Sequence, residues 1–282
     1  ISEHIGKADD AAEYRLWQKE MAAAINEHAW DGNWYICALD DDANAIGSQQ
    51  NDEGKIFLNM QSWAQLGKVV PEDRWEQSWN SVGQMLDSGW GLMLNWPAYT
   101  KYVHNVGRLS AIRPGAAENA SVYTHGNAFM LLALLERGMA DEAYELWQAV
   151  QPGNPERPVL NQPNVFFNGY YGPDSENRVG MGEHSWTTGS VPWMYQCVTE
   201  HMLGVRRTLD GLVIKPCMPS AWEDASVRRT YRGTSYDIRI SNPGKKAGAA
   251  VASISVDGAA HDVAQPLPMD DGRHVVEVVL GA

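Results

Sequence analysis

The sequence predicts a mainly α-helical segment followed by a small antiparallel β domain, with the change near Gly204. Three observations predict it. Before Gly204, apolar residues recur at helical spacing and Ala is plentiful. Long stretches rich in Gly, Pro and Asn (40–58, 89–120 and 151–186) separate these helical patterns. After Gly204 the pattern becomes strand-like alternation, broken by Asn242-Pro243-Gly244 and Asp257-Gly258. The 282 residues leave room for two domains, and the boundaries read as 1–204 and 205–282.

Residues 8–29 read as a helix, with Leu16, Met21, Ala24 and Ile25 at helical spacing. Asp31-Gly32 ends it, and Trp34 to Leu39 reads as a short strand. A second helix covers 59–68. Pro71 opens a third, with Trp75, Trp79, Val82 and Leu86 on one face, because Pro suits a first helical turn. Residues 121–137 are largely apolar, as an inner helix would be. Residues 140–150 are amphipathic, as an outer one would be. A sixth pattern, 187–203, is rich in Met, Trp and Val. Alternating inner and outer helices joined by elaborate loops suggest an α/α barrel with its site at one end. Leu212 to Ile214, Val227 to Ile240, Ala249 to Val256 and His274 to Leu280 read as strands.

The net charge of −13 argues against a nucleic-acid or anionic-membrane partner, since both need a basic surface. No apolar run approaches the roughly 20 residues of a membrane span. No signal peptide is visible, and the chain opens at Ile1 beside a helix, which reads as a piece of a longer product. Cys37, Cys197 and Cys217 are widely spaced without a C-x-x-C, so neither a disulfide framework nor a zinc site is suggested. A reducing cytoplasm fits them. Twelve Trp and eleven Tyr against four Phe favour rings that pair an apolar face with a polar handle, as sugar sites use. Trp17, Trp63, Trp75, Trp79, Trp147 and Trp193 fall on helical patterns and are expected in the core. Trp90, Trp96 and Trp186 sit in loop context and are site candidates.

The most informative stretch is Glu183-His184-Ser185-Trp186-Thr187-Thr188-Gly189-Ser190. The hydroxyls of Thr187, Thr188 and Ser190 fall where a helix begins. Free backbone N–H groups there favour an anion, and Gly189 permits its close approach. The same residues also suit an ordinary N-cap. The loop 105–120 carries Arg108, Arg113 and Glu118 and leads to His125. A helix spanning Glu118 and His125 would put them two turns apart on one face. Glu118 could then grip sugar hydroxyls and His125 an anion, or each could be purely structural. A hydrolase with Glu118 and Glu183 as paired carboxylates is a second reading, and a non-catalytic carbohydrate-binding fragment a third. His104, His125 and His184 lack H-x-x-x-H spacing, so no metal site is expected.

Several blocks together resemble the carboxy-terminal part of glycoside hydrolase family 94, the cellobiose, cellodextrin and chitobiose phosphorylases. They are Ala24 to Trp34, Glu53 to Trp63, Pro114-Gly115, Glu118-Asn119, Tyr123-Thr124-His125, and His184-Ser185-Trp186 with Thr188-Gly189. Further on, Asp210-Gly211-Leu212, Tyr231-Arg232-Gly233 and Asn242-Pro243 resemble the closing β domain. The resemblance implies part of an (α/α)6 barrel followed by that β domain. It implies inverting phosphorolysis of a β-linked gluco-oligosaccharide to α-glucose 1-phosphate and a shortened acceptor. By motif match, His125, Thr188 and Gly189 would bind phosphate. Glu118 would hold the donor sugar, and Trp186 and Arg108 would contribute to substrate binding. Phosphate is a co-substrate, and no cofactor is implied. The family's general acid is an Asp in an Asp-Trp-Asn-Asp type motif, which does not occur here. It is expected upstream, in an amino-terminal remainder of the same protein. Asn168 stands in the neighbourhood where the family places a Gln. Ala117 stands where cellobiose-specific members carry a Lys, so an oligosaccharide or modified-sugar acceptor is expected. A homodimer is expected.

Overall fold

In the computed structural model, residues 1–186 and 188–281 are described. Seven α-helices and fourteen strands occur among them. Helix α1 (Ala8–His28) matches the first helical pattern, but only Ala11 is buried. Tyr14, Leu16, Trp17 and Met21 are more than half exposed, so Trp17 is a surface residue and not core. Strands β1 (Ala38–Leu39) and β2 (Ala45–Ile46) form a small hairpin. The expected strand from Trp34 thus pairs only at its end, apart from a Trp30–Tyr35 bridge.

Strand β3 (Ile56–Phe57) runs directly into α2 (Leu58–Leu66) and pairs with β4 (Asn95–Trp96). Between them lies α3 (Glu72–Leu86), opened by Pro71, burying Trp75, Ser78, Val82 and Leu86. The spacing of those four is one helical stripe. A short helix α4 (Arg108–Ala111) precedes β5 (Val122–Tyr123) and the central helix α5 (Thr124–Glu136). Nine of the thirteen α5 residues are buried, because α2, α6 (Ala140–Ala149) and α7 (Ser190–Gln196) all pack on it. Helix α7 continues into a π-helical turn, Cys197–Met202. The core gathers Leu58, Met130, Leu131, Leu134 and Met194, among others.

The stretch 151–186 is not all loop. It contains β6 (Phe167–Tyr170) and β7 (Gly182–Ser185), which extend β5 into a three-stranded sheet in the order β5-β6-β7. Strands β8 (Val205–Arg207) and β9 (Leu212–Ile214) pair with each other. A five-stranded sheet follows in the order β10-β11-β14-β12-β13. Its strands are β10 (Asp224–Tyr231), β11 (Thr234–Ser241), β12 (Val251–Val256), β13 (Ala259–His261) and β14 (Arg273–Leu280). The sheet is mixed rather than antiparallel, since β11 and β14 run parallel. The β12–β13 hairpin lies between them in sequence, and this excursion returns the chain to the end where β11 began. A second apolar cluster, including Tyr236, Ile238, Ile254, Val276 and Val278, backs this sheet. Trp222 packs against both clusters.

Candidate functional site

Of the residues singled out in the sequence, His125 and Gly189 meet where the start of α7 reaches the first turn of α5. His125 is the second residue of α5. A Cβ added at Gly189 would lie 3.0 Å from its Cε1 and 3.1 Å from its Nε2. The imidazole and the Gly189 backbone are therefore in contact across the site, although they are 64 positions apart in sequence (189 − 125 = 64). Burial pushes the His125 pKa below its ordinary value, and a backbone hydrogen bond with Gly189 pulls the other way. Burial thus disfavours the imidazolium form of the ring.

The Thr188 hydroxyl oxygen accepts the Ser190 N–H at 3.1 Å and lies 2.8 Å from the Ser190 hydroxyl. It supports the first turn of α7 from the residue before the cap. The N-cap position itself is Gly189 and carries no side-chain cap, unlike the Ser/Thr N-cap expected from the sequence. Either hydroxyl of the Thr188–Ser190 pair can be the donor. Thr187 lies outside the described residues. The loop reaches Thr188 through His184 (φ 48°) and Trp186 (φ 66°), both left-handed. Such φ values cost a non-glycine residue of order 1 kcal/mol or more. Trp186 is 77% exposed.

Glu118 does not share a helix with His125. Ala117 (φ 44°) and Ala120 (φ 61°) flank it in left-handed conformations that break any right-handed helix, and β5 intervenes before α5. Glu118 is half-buried in a turn, and its carboxylate has no partner among the described residues. The residues around it are anchored. Asn119 donates to the Tyr99 and Ile112 carbonyls at 2.8 and 2.7 Å and accepts from Tyr99 N–H at 2.8 Å. Glu183 is 8% exposed, and its Oε2 accepts the Ala117 N–H at 2.7 Å. One oxygen of the Glu183 carboxylate is therefore engaged with the backbone of the loop that carries Glu118.

Asn168 is half-buried on β6. Arg108 is exposed at the head of α4. Arg113, also exposed, lines a cavity of about 200 Å³ with Tyr171, Asp174, Asn177 and Arg178. Trp90 and Trp96 are partly buried and pack against the core. Phe129, absent from the sequence reasoning, borders His125, and Trp63 and Trp193 pack on its ring. Phe129 lies 5.6 Å from the imidazole, 5.1 Å from Trp63 and 5.0 Å from Trp193. Trp63, expected in the core, is 45% exposed on this wall. Helical spacing marked Trp63 and Trp193 as apolar but could not say that α2 and α7 meet over Phe129. No group of three or more His, Cys, Asp or Glu side chains among the described residues could hold a metal ion. All three cysteines are free. No described helix is long and apolar enough to cross a membrane.

Comparison with known proteins bears on the same residues. A solabiose phosphorylase of Paenibacillus borealis is 35% identical over 260 residues, which is 90% of this chain and 34% of that protein. A 3-O-β-D-glucopyranosyl-β-D-glucuronide phosphorylase of the same species is 34% identical over 274 residues, 96% of this chain and 35% of the relative. An N,N'-diacetylchitobiose phosphorylase of Vibrio proteolyticus is 30% identical over 286 residues, spanning 100% of this chain and 36% of its own length. The chain thus spans about a third of the length of these curated relatives. Residues 1–204 match the model of the glycosyl hydrolase 94 superfamily, catalytic domain. With the match reaching through α5, β7, Thr188-Gly189 and α7, the chain belongs to the glycosyl hydrolase 94 superfamily.

Proposed function

We propose that this chain is the phosphate-binding and donor-binding segment of an inverting β-glucoside phosphorylase. The observation that carries the reading is the contact of the His125 imidazole with Gly189 beside the Thr188 hydroxyl. Phosphate held there attacks the anomeric carbon from the face opposite the leaving sugar oxygen. The C–O bond to the acceptor breaks, a general acid protonates that oxygen, and the β-glycoside becomes α-glucose 1-phosphate. Each charge-assisted donor to the phosphate contributes roughly 1.5–3 kcal/mol. Glu118 accepts hydrogen bonds from the donor sugar, with Asn168 and Trp186 beside it. No cofactor enters, because phosphate itself is the nucleophile. The general acid lies outside these 282 residues, on the amino-terminal remainder of a longer cytoplasmic and homodimeric protein.

Residues 1–204 form the carboxy-terminal part of an (α/α)6 barrel in this reading, and 205–282 a separate β domain. Three features support it. Helices α2, α5 and α7 pack side by side, with α3 against α2 and α6 against α5. The apolar side chains of α1 and the ring of Trp63 are exposed, as the open side of a half-built barrel would leave them. Apart from Cys217, the buried residues of the first apolar cluster precede residue 204, and those of the second follow it.

The intact protein, given a β-linked gluco-oligosaccharide and phosphate, is expected to release glucose 1-phosphate. Free glucose formed without phosphate dependence overturns the reading. The 282-residue chain alone is expected to show no turnover. The relatives' names range over neutral, acidic and N-acetylated disaccharides, so the acceptor is the variable part, and a cellodextrin-like acceptor is the first to test. Synthesis from glucose 1-phosphate against glucose, cello-oligosaccharides, N-acetylglucosamine and gluconate identifies it. Arg108→Ala in the intact enzyme is expected to lower acceptor kcat/KM while leaving the donor KM unchanged. Unaltered acceptor kinetics remove Arg108 from the site.

A further inference from the structure

Glu183 stands on β7, one strand away from the loop that carries Glu118 and a few residues before Thr188 and Gly189. We propose that Glu183 is a positioning residue that couples the donor-sugar loop to the phosphate loop, an inference that rests on the phosphorylase reading above.

The argument begins with Ala117, a non-glycine residue at φ 44°. A left-handed alanine persists only where its surroundings over-determine it. Here both of its backbone polar groups are held by side chains. Its N–H goes to Glu183 Oε2 at 2.7 Å, and its carbonyl accepts the Ser121 hydroxyl. On the other side of Glu118, Asn119 is fixed by three bonds to Tyr99 and Ile112. Glu118 is therefore suspended between two anchored residues, and Glu183 supplies one anchor from outside the loop.

The same carboxylate belongs to the strand that feeds the phosphate loop. Glu183 sits opposite Gly169 in the β6–β7 ladder, and Ser185 sits opposite Phe167. Beyond Ser185 the chain passes through left-handed Trp186 to Thr188 and Gly189. A shift of β7 therefore moves Ala117 and the approach to Thr188 together. Among the described residues no cation pairs with Glu183. Its charge serves the Ala117 N–H, and a charged acceptor makes that bond stronger than a neutral one would.

The test uses the intact enzyme and three variants, with kcat and the separate KM values for glycoside and phosphate as readouts. Glu183→Ala is expected to raise both KM values together, by about tenfold. Glu183→Gln keeps an oxygen that can accept the Ala117 N–H, and it is expected to restore both KM values to within about threefold. A fall in kcat with both KM values unchanged, or a rise in only one of them, overturns the coupling. If Glu183→Ala does not fold, Glu183→Asp takes its place. Its shorter reach is expected to raise both KM values, and unchanged values overturn the proposal. Hydrogen exchange at the Ala117 amide reads the bond without any activity. It should be slow in the unsubstituted protein and faster in Glu183→Asp, and fast exchange in the unsubstituted protein also overturns the proposal. Absence of phosphate-dependent glucose 1-phosphate release by the unsubstituted enzyme instead defeats the phosphorylase reading, and the two failures are distinct.

Discussion

His125 and Gly189 show how little room the candidate phosphate site leaves. A methyl group at Gly189 would sit 3.0–3.1 Å from the imidazole, closer than carbon atoms comfortably approach. Gly189→Ala is therefore expected to push His125 aside without changing any polar group. His125→Ala removes the donor itself. In the intact enzyme both substitutions should raise the KM for phosphate, by roughly 10- to 100-fold for loss of one charge-assisted hydrogen bond. Melting temperatures should stay close to that of the unsubstituted protein, since Gly189 is exposed and His125 only half-buried. Equal phosphate KM values in all three proteins remove the imidazole from the anion site.

Helix α6 and strand β6 are joined by one buried cation. Arg157 is 4% exposed and has no acidic partner among the described residues. Its guanidinium donates to the carbonyls of Ala149, Gln151 and Pro152 at 3.1–3.2 Å, which completes the C-terminal end of α6. It also lies 3.6 Å from the ring centroid of Tyr170 on β6. Arg157→Ala removes one hydrogen bond from each of three carbonyls, at about 1 kcal/mol each, although those of Ala149 and Gln151 keep a bond from Asn154, and it removes the stacking. A loss of about 3 kcal/mol in denaturant unfolding is expected, and a loss below about 1 kcal/mol contradicts this account. Arg157→Lys should recover only part, because an ammonium cannot serve three carbonyls and a ring face at once.

At the scale of the whole molecule, pH reaches the fold through His274. The ring is held between two carboxylates, with Nδ1 2.7 Å from Asp257 and Nε2 3.0 Å from Asp270. These two hydrogen bonds raise the His274 pKa and hold both carboxyls below their ordinary value. The cluster joins the β12–β13 turn to the segment entering β14. Because the folded imidazole titrates above its unfolded value of about 6.5, the contribution to stability is complete below that pH. It disappears as pH rises through the higher folded value. The difference in melting temperature between the native protein and His274→Gln should therefore be largest near pH 6 and shrink at alkaline pH. The difference is the informative quantity, since His125 and His201 are both held low by burial and respond with the opposite sign. A difference independent of pH excludes the imidazolium cluster.

Local pattern determined much of this protein. The helix from residue 8, the Pro71 start, the apolar character of α5 and the strands after Gly204 were legible, because amphipathic periodicity and turn residues act over a few neighbours. Motif order was enough to bring His125, Thr188 and Gly189 to attention. Other features depended on distant partners. Strands β6 and β7 read as loop because Asn168-Gly169 and Gly182 break any alternation. The sheet forms because Gly169 fits where a side chain would press, at 3.3 Å, on the Ser121 hydroxyl and the Val122 carbonyl. Glu118 left its expected helix because Ala117 and Ala120 are held left-handed by bonds from elsewhere in the fold. Trp17 and Trp63 carry core-like patterns on faces that nothing in these residues covers. The sequence by itself determined most of the helices, the strands after Gly204 and which side chains were candidates to meet an anion. Only the tertiary structure decided that His125 touches Gly189 and that Glu183 holds Ala117, because contacts between residues more than sixty positions apart depend on packing and leave no periodic trace in the chain.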